Sequence, residues 1–156
     1  FDLTKKIWTV PAERAKNGIA NEVPLSQLAL TILDTIPRSA SGFVFPAAQI
    51  AGRPAAGFDK MKRRLDAAMG EAAEGEVVPW WLHDLRRTAA TGMARLGVAP
   101  HIIEKGEISG VAAVYNRHGY VEEKRAALEA WAGLINRIVN PPSANVVPLT
   151  RGRRRR

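Results

Sequence analysis

The stretch from Val121 to Val139 does most to decide what this chain can fold into. Leu128, Trp131, Leu134, Ile135 and Ile138 recur there at three- and four-residue spacing, which sets them on one stripe of an α-helix. A helix with one apolar stripe is stable only when that stripe is covered by other elements. Pro141-Pro142 ends the run. Two upstream segments carry the same signature. Phe58 to Ala73 turns Phe58, Met61, Leu65, Ala68 and Met69 inward and Lys60, Lys62, Arg63 and Arg64 outward. Leu82 to Leu96 stops at Gly97 with Pro100 beyond, a regular helix ending. Ser26 is placed to cap a helix running to Ile36, with Leu28, Ile32, Leu33 and Ile36 on its stripe and Pro37 as its stop. A short helix is expected from Pro100, and another across Val111 to Asn116.

Strand signals are confined to the start. Ile7-Trp8-Thr9-Val10 is β-branched and aromatic and stops at Pro11. Glu13-Arg14-Ala15-Lys16-Asn17-Gly18 reads as a turn because Asn-Gly favours tight hairpins. Asn21 to Leu25 then returns as the second strand, leaving Arg14 and Lys16 at the hairpin tip. Phe43-Val44-Phe45-Pro46 reads as a short buried segment, with loops over Ala47 to Pro54 and Gly75 to Trp80. The expected fold is mainly α with a small antiparallel β-sheet, an α+β domain over residues 1–140, followed by a basic flexible tail over 141–156.

Apolar residues make up 46% of the chain, enough for an ordinary core. The net charge of +8 points to a polyanionic partner, although five of the positive charges lie in the tail Arg151-Gly152-Arg153-Arg154-Arg155-Arg156. With no cysteine, a disulfide scaffold and a cysteine-based zinc site are excluded, and a reducing cytoplasm fits. No apolar run reaches the roughly 20 residues of a membrane span. The start at Phe1-Asp2-Leu3, without Met, suggests a piece of a longer chain.

The residues with chemical potential cluster in Leu82-His83-Asp84-Leu85-Arg86-Arg87-Thr88 and Val114-Tyr115-Asn116-Arg117. A His and an Arg three positions apart on a helix share a face, so His83 and Arg86 can reach one phosphate. Arg86 offers a bidentate fork to phosphate oxygens. Trp80-Trp81-Leu82 would bury the start of the helix, and a pocketed helix N-terminus favours an anion. The plainer alternative makes His83 a helix-start residue and Arg86 and Arg87 surface ion-pair partners. Lys16 is either a solvated turn lysine or a mobile ammonium able to protonate a leaving oxygen. Tyr115, followed by Asn116, Arg117 and His118, is in a cationic setting that eases ionisation of a phenol nucleophile. Tyr120, between Gly119 and Val121, reads as a packing tyrosine. His101 and His118 are not assigned to a site.

A lysine on a hairpin, then His-x-x-Arg, then tyrosine resembles the C-terminal catalytic domain of tyrosine recombinases, the phage-integrase family, and prophage and genomic-island integrases in particular. Trp8 to Gly18 is similar to the family's hairpin, Val23-Pro24-Leu25-Ser26 to the strand after it, and Leu82 to Thr88 to its central motif. Val114-Tyr115-Asn116-Arg117 with Glu123-Lys124-Arg125 is similar to its nucleophile segment. The similarity runs from about residue 6 to residue 139. It implies Tyr115 as nucleophile, Lys16 as general acid, His83 as its assistant and Arg86 as the second phosphate clamp. It implies DNA contacts from Arg14, Lys16, Arg86, Arg87 and Arg117, and cutting and rejoining through a 3′-phosphotyrosyl link. Metal ligands and cofactors are not implied. The implied partners are double-stranded attachment-site DNA and further copies of the chain in a tetramer, in the cytoplasm of a bacterium that carries the element, and no membrane.

The chain departs from the family pattern twice. The family's first clamp arginine lies upstream of the hairpin, in a helix outside this sequence. A Leu-x-His segment is also expected before the nucleophile, where here Ile102-Ile103-Glu104-Lys105 runs into Gly106-Glu107-Ile108-Ser109-Gly110. An omitted loop between Lys105 and Gly106 is the expected cause. Without the first arginine, this stretch alone is expected to cleave weakly or not at all. A DNA-gripping integrase remnant and a type IB topoisomerase-like nicking-closing activity are the alternative readings.

Overall fold

The computed structural model describes residues 1–15, 18–47, 50–73, 77–104 and 120–141. Lys16, Tyr115, Arg117, the expected helix over Val111 to Asn116, the Lys105–Gly106 junction and the tail from Pro142 onward lie outside the described residues.

The architecture is mainly helical with one two-stranded antiparallel sheet. Strand β1 (Ile7–Val10) pairs with β2 (Asn21–Pro24), in the register Ile7 to Pro24, Trp8 to Val23, Thr9 to Glu22 and Val10 to Asn21. A single 3-10 turn, Ala12–Arg14, follows β1. Helix α1 (Gln27–Thr35) begins where expected, and the Ser26 hydroxyl accepts the Ala29 N–H at 3.3 Å. This bond satisfies one of the free donors of the first turn. Helices α2 (Phe58–Ala72), α3 (Leu82–Arg95) and α4 (Pro100–Glu104) follow. Gly57, at φ 80°, supplies the left-handed residue that turns the chain into α2. At the end of α3, Gly97 takes φ 81° and the Val98 N–H bonds the Met93 carbonyl, the type of stop a glycine beyond a helix permits.

The long helix α5 (Val121–Val139) is the spine. Strand β2 and helices α1, α3 and α4 all pack on it. The most enclosed residues mark this seam: Pro24 and Leu25 leaving β2, Gly92 on α3, Ile102 on α4, and Ala127 and Ala132 on α5. Small residues on the facing helices, Gly92, Ala127 and Ala132, let these elements approach closely. Three hydrogen bonds tie α5 to β2 and to the start of α1. Lys124 bonds Asn21 and Glu22, and the Glu129 carboxylate accepts the Gln27 N–H at 2.8 Å.

Several inward assignments are corrected. Phe58, Met61 and Leu65 are exposed on α2, while Lys62, Asp66 and Met69 form its more covered face. The reason is an interaction that hydropathy does not register. The Lys62 ammonium lies 4.1 Å from the centroid of the Trp80 ring and 2.6 Å from both Asp66 carboxylate oxygens, so an ion-paired lysine takes the inward position. Ile32, Phe45 and Ile138 are exposed as well. Ile138 lies in the last turn of α5, whereas Leu128, Trp131, Leu134 and Ile135 are partly covered.

Candidate functional site

Helix α3 organises the described part of the site. Its N-cap is Trp81, an extended residue whose N–H donates to the Asp84 carboxylate at 2.8 Å, while the Asp84 N–H donates to the Trp81 carbonyl at 2.8 Å. This reciprocal pair closes the first turn and places a negative side chain at the positive end of the helix dipole. Asp84 also holds Arg87, its Oδ1 lying 3.3 Å from the Nη1 atom. The helix end is therefore already served by an internal carboxylate.

His83 is in the first turn of α3 and Arg86 follows one turn later. Both are exposed, and the helical repeat sets them on one face. The expectation that Trp80-Trp81-Leu82 buries this start is corrected. Trp80 is partly covered, but Trp81 is 77% exposed and Leu82 is exposed too. The Lys62 ammonium of α2 lies over the Trp80 ring, whereas Trp81, as the N-cap, is on the surface. The opening of α3 thus presents an imidazole, two guanidinium groups and an open indole on the surface.

Arg14 is exposed on the 3-10 turn beyond β1. The hairpin that carries it and the helix that carries His83 and Arg86 both rest on α5. Of the four residues expected to do chemistry, the structure describes His83 and Arg86 and joins them through α3; Lys16 and Tyr115 lie outside the described residues. Tyr120 is partly covered and meets the His101 ring edge-on at 5.4 Å between centroids, an arrangement aromatic rings favour. Among the described residues, no group of three or more His, Asp or Glu side chains could hold a metal ion, and no helix is long and apolar enough to cross a membrane.

Sequence reading alone did not single out Lys62 and Lys124. The signal for Lys62 is a lysine four residues before an aspartate, a spacing that pairs on a helix. For Lys124 it is only membership of Glu123-Lys124-Arg125.

The chain is 31% identical over 141 residues to the prophage integrase IntA of Escherichia coli strain K12. The match takes in 86% of this chain and 32% of that protein, so the chain spans about a third of the length of the curated relative it matches. This similarity supports a relationship with the integrases. No family model matches the chain, and no solved structure matches it.

Proposed function

We propose that this chain is part of the catalytic domain of a tyrosine-type site-specific DNA recombinase, which cuts and rejoins duplex DNA through a 3′-phosphotyrosyl intermediate. The observation that carries the reading is the open presentation of His83 and Arg86 one turn apart on α3, in a chain related to a prophage integrase. Both residues are exposed, and their groups suit a phosphodiester.

In this reading the phenol oxygen of Tyr115 gives its proton to water and attacks phosphorus. The bond from phosphorus to the 5′ oxygen breaks, its electron pair stays on that oxygen, and the Lys16 ammonium supplies the proton that makes it a 5′ hydroxyl. His83 assists the proton transfer. Arg86 donates two N–H groups to the non-bridging oxygens, where charge grows in the transition state. One phosphodiester replaces another, so attack by a partner strand's 5′ hydroxyl on the phosphotyrosine reverses the step without nucleotide hydrolysis. Arg14, Arg87 and Arg117 neutralise flanking phosphates. The partners are attachment-site duplexes and further copies of the protein in a tetramer, in the bacterial cytoplasm.

The test is a nicked suicide duplex, from which the 5′-hydroxyl fragment diffuses away after cleavage. The full-length protein that contains this chain should form a denaturant-resistant protein–DNA adduct. Tyr115→Phe should abolish the adduct and Tyr120→Phe should keep it. An adduct that persists in Tyr115→Phe overturns the assignment.

A further inference from the structure

Two adjacent tryptophans lead into α3, and the structure treats them differently. Trp80 is partly covered and has the Lys62 ammonium over its ring, whereas Trp81 is exposed over most of its surface. An open indole forgoes the burial that so large a ring gains in a core. Helix capping does not account for it either, since Ser, Thr, Asp and Asn are the side chains that serve an N-cap. The cap here runs through the Trp81 backbone, whose N–H and carbonyl each meet Asp84 at 2.8 Å, and uses nothing of the ring. That reciprocal pair fixes the backbone from which the indole projects. The setting is cationic. Asp84 also holds the exposed Arg87, and His83 and Arg86 are exposed on the same opening of the helix, so one carboxylate stands among an imidazole and two guanidinium groups. Trp81 and Arg86 are five positions apart, roughly 7.5 Å along the axis at the helical rise, which is about two nucleotide steps of a stacked strand. Open aromatic rings among cations suit single-stranded nucleic acid, because bases stack on the ring while the cations follow the backbone. In a paired duplex the base faces are already covered by their neighbours, so an indole finds a partner only where a base has left the stack.

We propose that Trp81 is a stacking platform for an unpaired base of the cut strand, close to the phosphate that Arg86 meets and with Arg87 on the backbone of that strand. The inference rests on the recombinase reading above. Exchange requires the strand released with a 5′ hydroxyl to leave its complement before it attacks a phosphotyrosine elsewhere, and this frees bases beside the cut. Trp81 takes no part in breaking or making bonds. Its ring lowers the cost of holding such a base out of the duplex, which favours exchange over simple resealing. Leu82 and Leu85, exposed nearby, would also suit an apolar protein partner, but three cationic groups beside one carboxylate match a phosphate strand better.

The test compares bases with bare backbone. The full-length protein that contains this chain is titrated with two attachment-site duplexes, each with a short unpaired run beside the scissile phosphate on the side of the released 5′ end. In one the run carries its bases; in the other the same sugars and phosphates are abasic. The wild-type protein should bind the base-bearing duplex about tenfold more tightly, the measure of a single base–aromatic stack. Trp81→Ala should bring the ratio of the two affinities close to one, and Trp81→Phe should keep most of it. Charge is the same in every pairing, so a loss of phosphate contacts cannot mimic the result. A 2-aminopurine in the unpaired run should lose fluorescence on binding the wild-type protein and keep it on binding Trp81→Ala. The cap is a backbone one, so Trp81→Ala retains it, and the wild-type comparison needs no variant. Equal affinity of the wild-type protein for the two duplexes overturns the inference, as does a base preference that survives in Trp81→Ala. Loss of self-association in Trp81→Ala with an unchanged ratio also overturns it, and assigns the indole to a protein contact. In each of these cases adduct formation by the wild-type protein leaves the recombinase reading standing. A wild-type protein that forms no adduct on the nicked suicide duplex overturns both.

Discussion

The indole of Trp131 lies so close to the α-carbon of Gly92 that an added β-carbon would run into its Cζ3, Cε3 and Cη2 atoms. Gly92 is buried in the last turn of α3, and Trp131 comes from α5. The pair sets how near the C-terminal turn of α3 approaches the spine.

Gly92→Ala is therefore expected to destabilise the fold, although alanine is the better helix former. The propensity gain is about 1 kcal/mol, while overpacking a tight contact costs about 1–3 kcal/mol. A net loss of about 1 kcal/mol should appear in urea denaturation, taking the lower urea midpoint with an unchanged slope as its sign. Adding Trp131→Leu should recover part of the loss, because the two sites share one contact. A midpoint that rises in Gly92→Ala alone would mean that Trp131 can move aside.

What the sequence made legible, and what it hid, follows from which interactions are local. The hairpin of Ile7–Val10 and Asn21–Pro24, the Ser26 cap and the ends of α3 at Trp81 and Gly97 are written in neighbouring residues, and the structure places them within a residue or two of expectation. The orientation of α2 is not local. Its apolar residues Phe58, Met61 and Leu65 pointed one way by hydropathy, but Lys62 found both a ring and a carboxylate and turned that face inward. Trp81 misled for a similar reason, since an aromatic residue reads as core until its place at the cap is known. The His83 and Arg86 pair was legible by helical spacing alone. The roles of Lys16 and Tyr115 depend on resemblance, because no spacing rule joins residues so far apart in the chain.

Asp84 provides a prediction in which stability and binding move in opposite directions. It accepts the Trp81 N–H and pairs with Arg87, so Asp84→Ala removes a helix-start contact and is expected to cost about 1 kcal/mol. The same change removes a negative charge from beside Arg87 and frees the helix end. Duplex binding at low salt should tighten a few-fold, by the modest amount one partly screened charge allows. Urea denaturation and fluorescence anisotropy on the same preparation check the two effects. Weaker binding in a fully folded Asp84→Ala protein would show that Asp84 orders Arg87 for the duplex rather than competing with it.

Arg86 separates gripping DNA from cutting it. In the proposed reading its guanidinium meets the reacting phosphate, where negative charge develops only as the bond breaks, so its removal should act on the chemical step. Arg86→Ala in the full-length protein is expected to lower adduct formation by about 10²- to 10³-fold, the loss typical of a donor aimed at a transition-state oxygen. Binding should survive, because Arg14, Arg87 and the other exposed cations still neutralise phosphates along the duplex. The salt dependence of affinity should flatten by about one phosphate contact at most. Arg87→Ala is the control. Its guanidinium is committed to Asp84 and lies 74% exposed, so the loss should fall on binding and leave the rate within the bound complex nearly unchanged. If the two substitutions weaken binding alike and neither alters the rate of adduct formation at saturating DNA, Arg86 is one more backbone contact and the exposed face of α3 is not where the strand is cut.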